Sequence, residues 1–105
     1  MEQVKPTKEQ ALRRLRLDDS LADDVADAIE QAFALTEKYL DGPLYVNALA
    51  AAESGNPKAI VCTADIIAAQ LLLVDSLCGP NSVVDQTTKK QAAYDMLRIR
   101  RNQGV

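Results

Sequence analysis

PTKEQALRRLRLDD, residues 6–19, runs straight into the amphipathic stretch 21–40, and this junction of a short helix with a long one decides the fold class. Thr7 with Gln10 three residues on is a capping-box pattern: the hydroxyl accepts from a free backbone N–H while the glutamine side chain reaches back. Ala11, Leu12 and Leu15 then share one face of a helix of about two to three turns, too short to persist in water unless that face docks. The basic trio Arg13, Arg14 and Arg16 precedes Leu17, and Asp18, Asp19 and Ser20 supply a polar turn and a cap for the second helix.

From Leu21 to Leu40 the positions Leu21, Val25, Ile29, Ala32, Phe33, Thr36, Tyr39 and Leu40 recur at steps of three and four, which is helical spacing. Asp23, Asp24 and Asp27 suit the positive end of its dipole. Asp41-Gly42-Pro43 supplies a glycine stop and a proline that cannot continue the helix. Leu44 to Gly55 reads as a long connecting loop with one short element, either an extended piece at Leu44-Tyr45-Val46 or a brief helix capped by Asn47. Asn56-Pro57 is a start signal, with Gly79-Pro80 the matching stop, so a third helix is predicted from about Pro57 to Cys78. It is apolar on nearly every side from Ala59 to Val74, so it is either central in a bundle or partly covered by another subunit. Ala92, Ala93, Met96, Leu97 and Ile99 mark a fourth helix to about Asn102. The expected fold is all-α: one domain, residues 1–105, a small bundle of four helices with a long loop between the second and third.

Composition agrees: 105 residues, 48% hydrophobic and 26% charged, suit one small core and not a disordered tail. Cys62 and Cys78, if on one helix, stand about 24 Å apart and cannot pair, which suits a reducing compartment. No signal-peptide pattern opens the chain, and Thr63, Asp65 and Gln70 interrupt the most apolar run, so a soluble intracellular protein is expected. The net charge of -3 is unevenly spread. Residues 18–41 hold eight acidic side chains against Lys38, whereas Lys89, Lys90, Arg98, Arg100 and Arg101 outnumber Asp85 and Asp95 in the last stretch. The two regions suit a heterologous contact between identical subunits, which closes into a ring when the rotation allows.

Signs of chemistry are few. Histidine, the commonest general base, is missing. No Cys-x-x-Cys pair, glycine-rich phosphate loop or nucleophile elbow occurs, and the helix start explains the Asp23, Asp24 and Asp27 carboxylates better than a magnesium site does. No catalytic residue, metal or cofactor is expected. An isoelectric point near 4.8 lacks the basic footprint of a duplex binder.

Thr7, Glu9, Ala11, Leu15, Arg16, Leu17, Asp18 and Asp19, a second helix ending at Tyr39-Leu40 before Gly42-Pro43-Leu44, a proline-started apolar third helix and a short fourth one together resemble the head-tail connector (adaptor) proteins of long-tailed bacteriophages, prophages and gene-transfer agents. The resemblance covers nearly the whole chain. It implies a structural subunit, about a dozen copies of which form a ring under the capsid portal, at the head-tail interface of a virion assembled in the bacterial host cytoplasm. Its partners would be the portal and a stopper or tail-completion protein, with duplex DNA passing through without sequence recognition. The family's portal-docking element corresponds here to Arg98, Ile99, Arg100 and Arg101 on to Val105. Leu44, Tyr45 and Val46 of the loop and Asp23, Asp24 and Asp27 of the acidic face are the expected subunit-interface residues. The rival is a small phage-encoded DNA-binding or regulatory protein with its first two helices as a helix-turn-helix. Asp19, Asp23 and Asp24 at the start of the second helix argue against it, since a reading helix presents basic and amide side chains there.

Overall fold

The computed structural model describes residues 3–17, 19–78 and 82–100. The chain is mostly helical, with five α-helices among these residues and a two-stranded sheet. The capping box forms as the sequence dictates: Gln10 N–H donates to Thr7 Oγ1 and Thr7 N–H to Gln10 Oε1, opening α1 (Lys8–Arg14). Arg16 takes a left-handed conformation at φ 55°, and Leu17 N–H returns to the Leu12 carbonyl. A 3₁₀ turn over Asp19–Leu21 then leads into α2 (Ala22–Leu40) and corrects the cap expected from residues 18–20: the turn carries the chain one residue further, so the cap position falls on Leu21, which has no side-chain acceptor, and Asp18 lies outside the described residues. Asp41, not the following glycine, takes the left-handed position that ends α2, and Gly42 N–H donates to the Glu37 carbonyl.

Both alternatives for the connecting segment are realised. Leu44–Tyr45 is a strand, β1, and Asn47 caps a brief helix, α3 (Ala48–Glu53), by accepting from Ala50 N–H. The expected helix start at Asn56-Pro57 is corrected by the structure. Asn56 Oδ1 accepts from Lys58 N–H, two residues on, and its carbonyl accepts from Ala59, which makes a turn and not a first helical coil. Ile60–Val61 then form β2, parallel to β1 in the register Leu44 to Ile60 and Tyr45 to Val61. Two long-range bonds fix this pairing, Ile60 N–H to the Pro43 carbonyl at 2.9 Å and Cys62 N–H to that of Tyr45 at 2.8 Å. The helix expected from Pro57 is α4, Ala64–Cys78, with the Thr63 carbonyl accepting from Ile66 and Ile67; the stop expected at Gly79-Pro80 lies outside the described residues. Cys62 therefore lies outside the helix that contains Cys78; both thiols are free.

Ser82 accepts from Asp85 N–H and opens α5 (Val83–Leu97), earlier than the apolar positions suggested, and a 3₁₀ turn carries the chain to Arg100. The packing gives α4 neighbours inside the chain. Leu77 and Cys78 at its end meet Asp24 and Asp27 at the start of α2. Asp65 at its start meets Arg100 beyond the end of α5. Tyr39 and Tyr94, near the ends of α2 and α5, stack at 4.7 Å. Helices α2 and α5 thus run alongside α4 in the opposite sense. The core unites Val25, Ile29, Ala32 and Leu40 with Ile66, Leu73, Val74 and Leu97. Each large apolar side chain so buried contributes about 1.5–3 kcal/mol. Thr36 and Ser76, the buried hydroxyls, are satisfied by the Ala32 and Leu73 carbonyls of their own helices. Among the described residues no helix is long and apolar enough to cross a membrane.

Candidate interaction surfaces

The antiparallel arrangement separates charge along the helices. At one end, where α2 starts and α4 stops, Asp23, Asp24 and Asp27 are exposed and make no ion pair with a described residue. Asp24 and Asp27 edge a polar cleft of about 400 Å³ with Gln31, Leu77 and Cys78. Burial, with the Asp75 and Asp24 carboxylates adding to it, raises the Cys78 thiol above its ordinary pKa, so the thiol stays neutral at physiological pH. Val83 and Val84, at the start of α5, stand on this same end with 78% and 72% of their surface in solvent.

The other end carries the C-terminal cations. Arg98 pairs with Asp95 one turn back at 2.7 Å, and Arg100 reaches Asp65 at 3.1 Å and 3.4 Å in a two-pronged contact. Burial works to raise the Asp65 pKa, but hydrogen bonds from the Thr63 hydroxyl and Arg100 outweigh it and hold the carboxyl below its usual range. Two of the arginines expected to dock a partner are thus engaged within the chain. Between them Ile99 is 82% exposed, while Arg101 and Val105 lie outside the described residues.

Of the loop residues expected at a subunit interface, Leu44 is buried in the core, where Glu37 accepts its N–H at 2.8 Å; Tyr45 is half-buried and Val46 exposed. Beyond Val46 the structure exposes Leu49, at 67%. Leu49 is the single large apolar residue in the alanine-rich α3, a signal available in the sequence but hidden by reading the segment as loop. Val83 and Val84 escaped because the apolar spacing that marks the fourth helix begins only at Ala92.

Arg13 and Arg14 at the end of α1 and Arg16 in the turn beyond it are exposed, and α2, which would be the reading helix of a helix-turn-helix, presents acid at its exposed start. Among the described residues no group of histidine, cysteine and carboxylate side chains is placed to hold a metal ion. Burial pushes the Cys62 thiol up to about 11, with Asp65 adding to it, so almost no thiolate is present at neutral pH. Comparison with models of protein families, with curated proteins and with solved structures found no match to this chain.

Proposed function

We propose that the chain is a non-enzymatic head-completion subunit that assembles into a ring beneath a phage portal and joins capsid to tail. The observation that carries this reading is that exposed apolar residues stand at both ends of the α2, α4 and α5 layer, beside carboxylates without an ion pair to a described residue at one end and beside ion-paired arginines at the other. A ring needs two different, complementary surfaces on each subunit. Here Asp23, Asp24, Asp27, Val83 and Val84 would supply one, and Ile99 with Arg98 and Arg100, once these exchange their own carboxylates for a neighbour's, would supply the other. In this reading α1, α2, α4 and α5 are the four helices of the bundle, and the β1–α3–β2 segment is an elaboration of the connection that presents Val46 and Leu49 to a neighbour. The ring would hold about a dozen copies, bind the portal on one side and a stopper or tail-completion protein on the other, and pass duplex DNA through an acidic wall without reading it.

Native mass spectrometry of the protein alone and mixed with a phage portal protein tests the reading. Closed rings or ring-on-portal complexes are expected, and Ile99→Asp is expected to abolish the complex while leaving the helical circular dichroism unchanged. A monomer at every concentration that ignores the portal would refute it.

A further inference from the structure

Residues Gln3 to Pro6 cross the body of the protein as an irregular strap, and what lies beneath is built like a peptide receptor. The Val4 carbonyl accepts from Gln70 Nε2 at 2.7 Å and from the Cys62 thiol at 3.5 Å. Lys5 Nζ reaches both oxygens of Glu30, at 2.7 Å and 2.9 Å, and sits 5.2 Å from the centre of the Phe33 ring. Pro6 is buried. The body therefore recognises, in order, an apolar residue, a cation and a proline.

The strap fills this site incompletely. Gln70 is fully buried, and its Oε1 has no hydrogen-bond partner among the described residues although its Nε2 is satisfied. A glutamine amide offers a donor and an acceptor side by side, so it can bind a peptide backbone through a C=O and an N–H together; the strap supplies only the C=O. Leaving the buried oxygen unpaired costs free energy that a ligand with a donor there would recover. Gln70 lies beneath the strap and lines neither flanking cleft, so a ligand reaches it by displacing residues 3–6, and the clefts give the displaced segment and the ligand's ends room. One flank is a cleft of about 500 Å³ edged by Gln10, Arg14 and Thr63, the other a mostly apolar one of about 480 Å³ floored by Ala26 and Ile29. Gln3 and Val46 border both.

We propose that the groove under residues 3–6 is a binding site for a linear peptide segment of a partner protein, of the type apolar residue, cation, proline. Gln70 reads its backbone, Glu30 and Phe33 take its cation, and the chain's own strap holds the site as an intramolecular competitor. This surface lies apart from the charged ends on which the ring reading rests and shares only Val46 with the surfaces assigned to the ring, so either can fail without the other. A labelled peptide with the sequence of residues 3–8, QVKPTK, titrated into the full chain and followed by fluorescence anisotropy, tests it. Lys5→Glu sets the strap against Glu30, and its affinity for the peptide is expected to rise at least tenfold over the unsubstituted chain. Adding Gln70→Met or Glu30→Gln to that variant is expected to cancel the gain. In the unsubstituted chain, saturating peptide is expected to shift the NMR resonances of Val4, Lys5 and the Gln70 side-chain amide while those of the outer face of α5 stay fixed, a readout that needs no variant to fold. Unchanged resonances, no gain in the folded Lys5→Glu chain, or a gain that survives loss of Gln70 and Glu30 would overturn the proposal. Dimerisation of the Lys5→Glu chain without peptide capture would instead give the groove to a second copy and overturn it as well.

Discussion

Helices α4 and α5 have the same length, fifteen residues each, and pack against one another, yet they are opposite in character. Seven residues of α4 are buried, including Gln70 and Ser76, whereas α5 buries only Ala93 and Leu97. An all-round apolar helix has one place to go in a small fold, the middle, and its neighbours are then fixed by what must cover it. A helix held along a single narrow stripe keeps most of its surface for other uses. That contrast explains why the chain can expose Val83 and Val84 on α5 without losing its core. It also explains why helix 3 of the sequence, expected either in the middle of a bundle or against another subunit, finds its cover within the chain.

Substituting along the two helices should show the contrast at full scale. Leu73→Ala opens a cavity at a site with no solvent exposure, and a loss of about 2–5 kcal/mol in urea unfolding is expected. Val84→Ala on α5 should stay within about 0.5 kcal/mol of the parent protein, since that side chain already faces water. A Val84→Ala loss approaching that of Leu73→Ala would mean that the outer face of α5 is covered in solution, and its dependence on protein concentration would show whether a second copy covers it.

The start of α5 gives an intermediate effect. Ser82 accepts the Asp85 N–H and α5 has few buried side chains to compensate for a lost cap, so Ser82→Ala is expected to cost about 1 kcal/mol. Thr7→Ala, which removes half of the α1 capping box, should cost a similar amount. If Ser82→Ala were neutral while Thr7→Ala were not, α5 would be held by its packing on α4 alone.

Caps and stops were legible where one local interaction decides them. Thr7 with Gln10, the long period of α2 and the α3 cap at Asn47 all arise from side chains acting within four residues. Asn56-Pro57 misled because the same asparagine chemistry that caps a helix also closes a turn, and the difference lies in which N–H it accepts: Lys58 here. What overrode the helix was non-local, the pairing of Ile60 and Val61 with a strand sixteen residues earlier, and β-branched residues suit that pairing. The charge separation was visible as a difference between segments. That Arg98 and Arg100 are already engaged by Asp95 and Asp65 was not, since the second of those pairs spans thirty-five residues.

Alkali should act on the entry to α4. Cys62 has its folded pKa raised from 9.0 to about 11, so it contributes stability that is complete below pH 9 and is lost as pH rises toward 11. Cys62→Ala is therefore expected to flatten the fall in melting temperature across that window. The same steep fall in the variant would assign it to other groups.

The smallest expected effect concerns the ion pair that links the start of α4 to the chain beyond α5. Asp65 has its folded pKa lowered, so its contribution is present above the ordinary value of about 3.8 and is lost as pH falls through the lower folded value. Arg100 is one of the groups that hold it down, and both side chains remain partly in water, at 43% exposure for Arg100 and 34% for Asp65. A pair this exposed is worth only about 0.2–1 kcal/mol, and added salt should weaken it. Arg100→Gln is expected to lower the melting temperature slightly at pH 6 and to converge with the parent protein in strong acid, where Asp65 is protonated in both. The hydroxyl of Thr63, which also donates to Asp65, should preserve part of the acid dependence in the variant. If instead the two curves coincide at every pH, the Arg100–Asp65 contact adds nothing to the fold. The cations beyond α5 would then be as free for a partner as the exposed face of α5 itself.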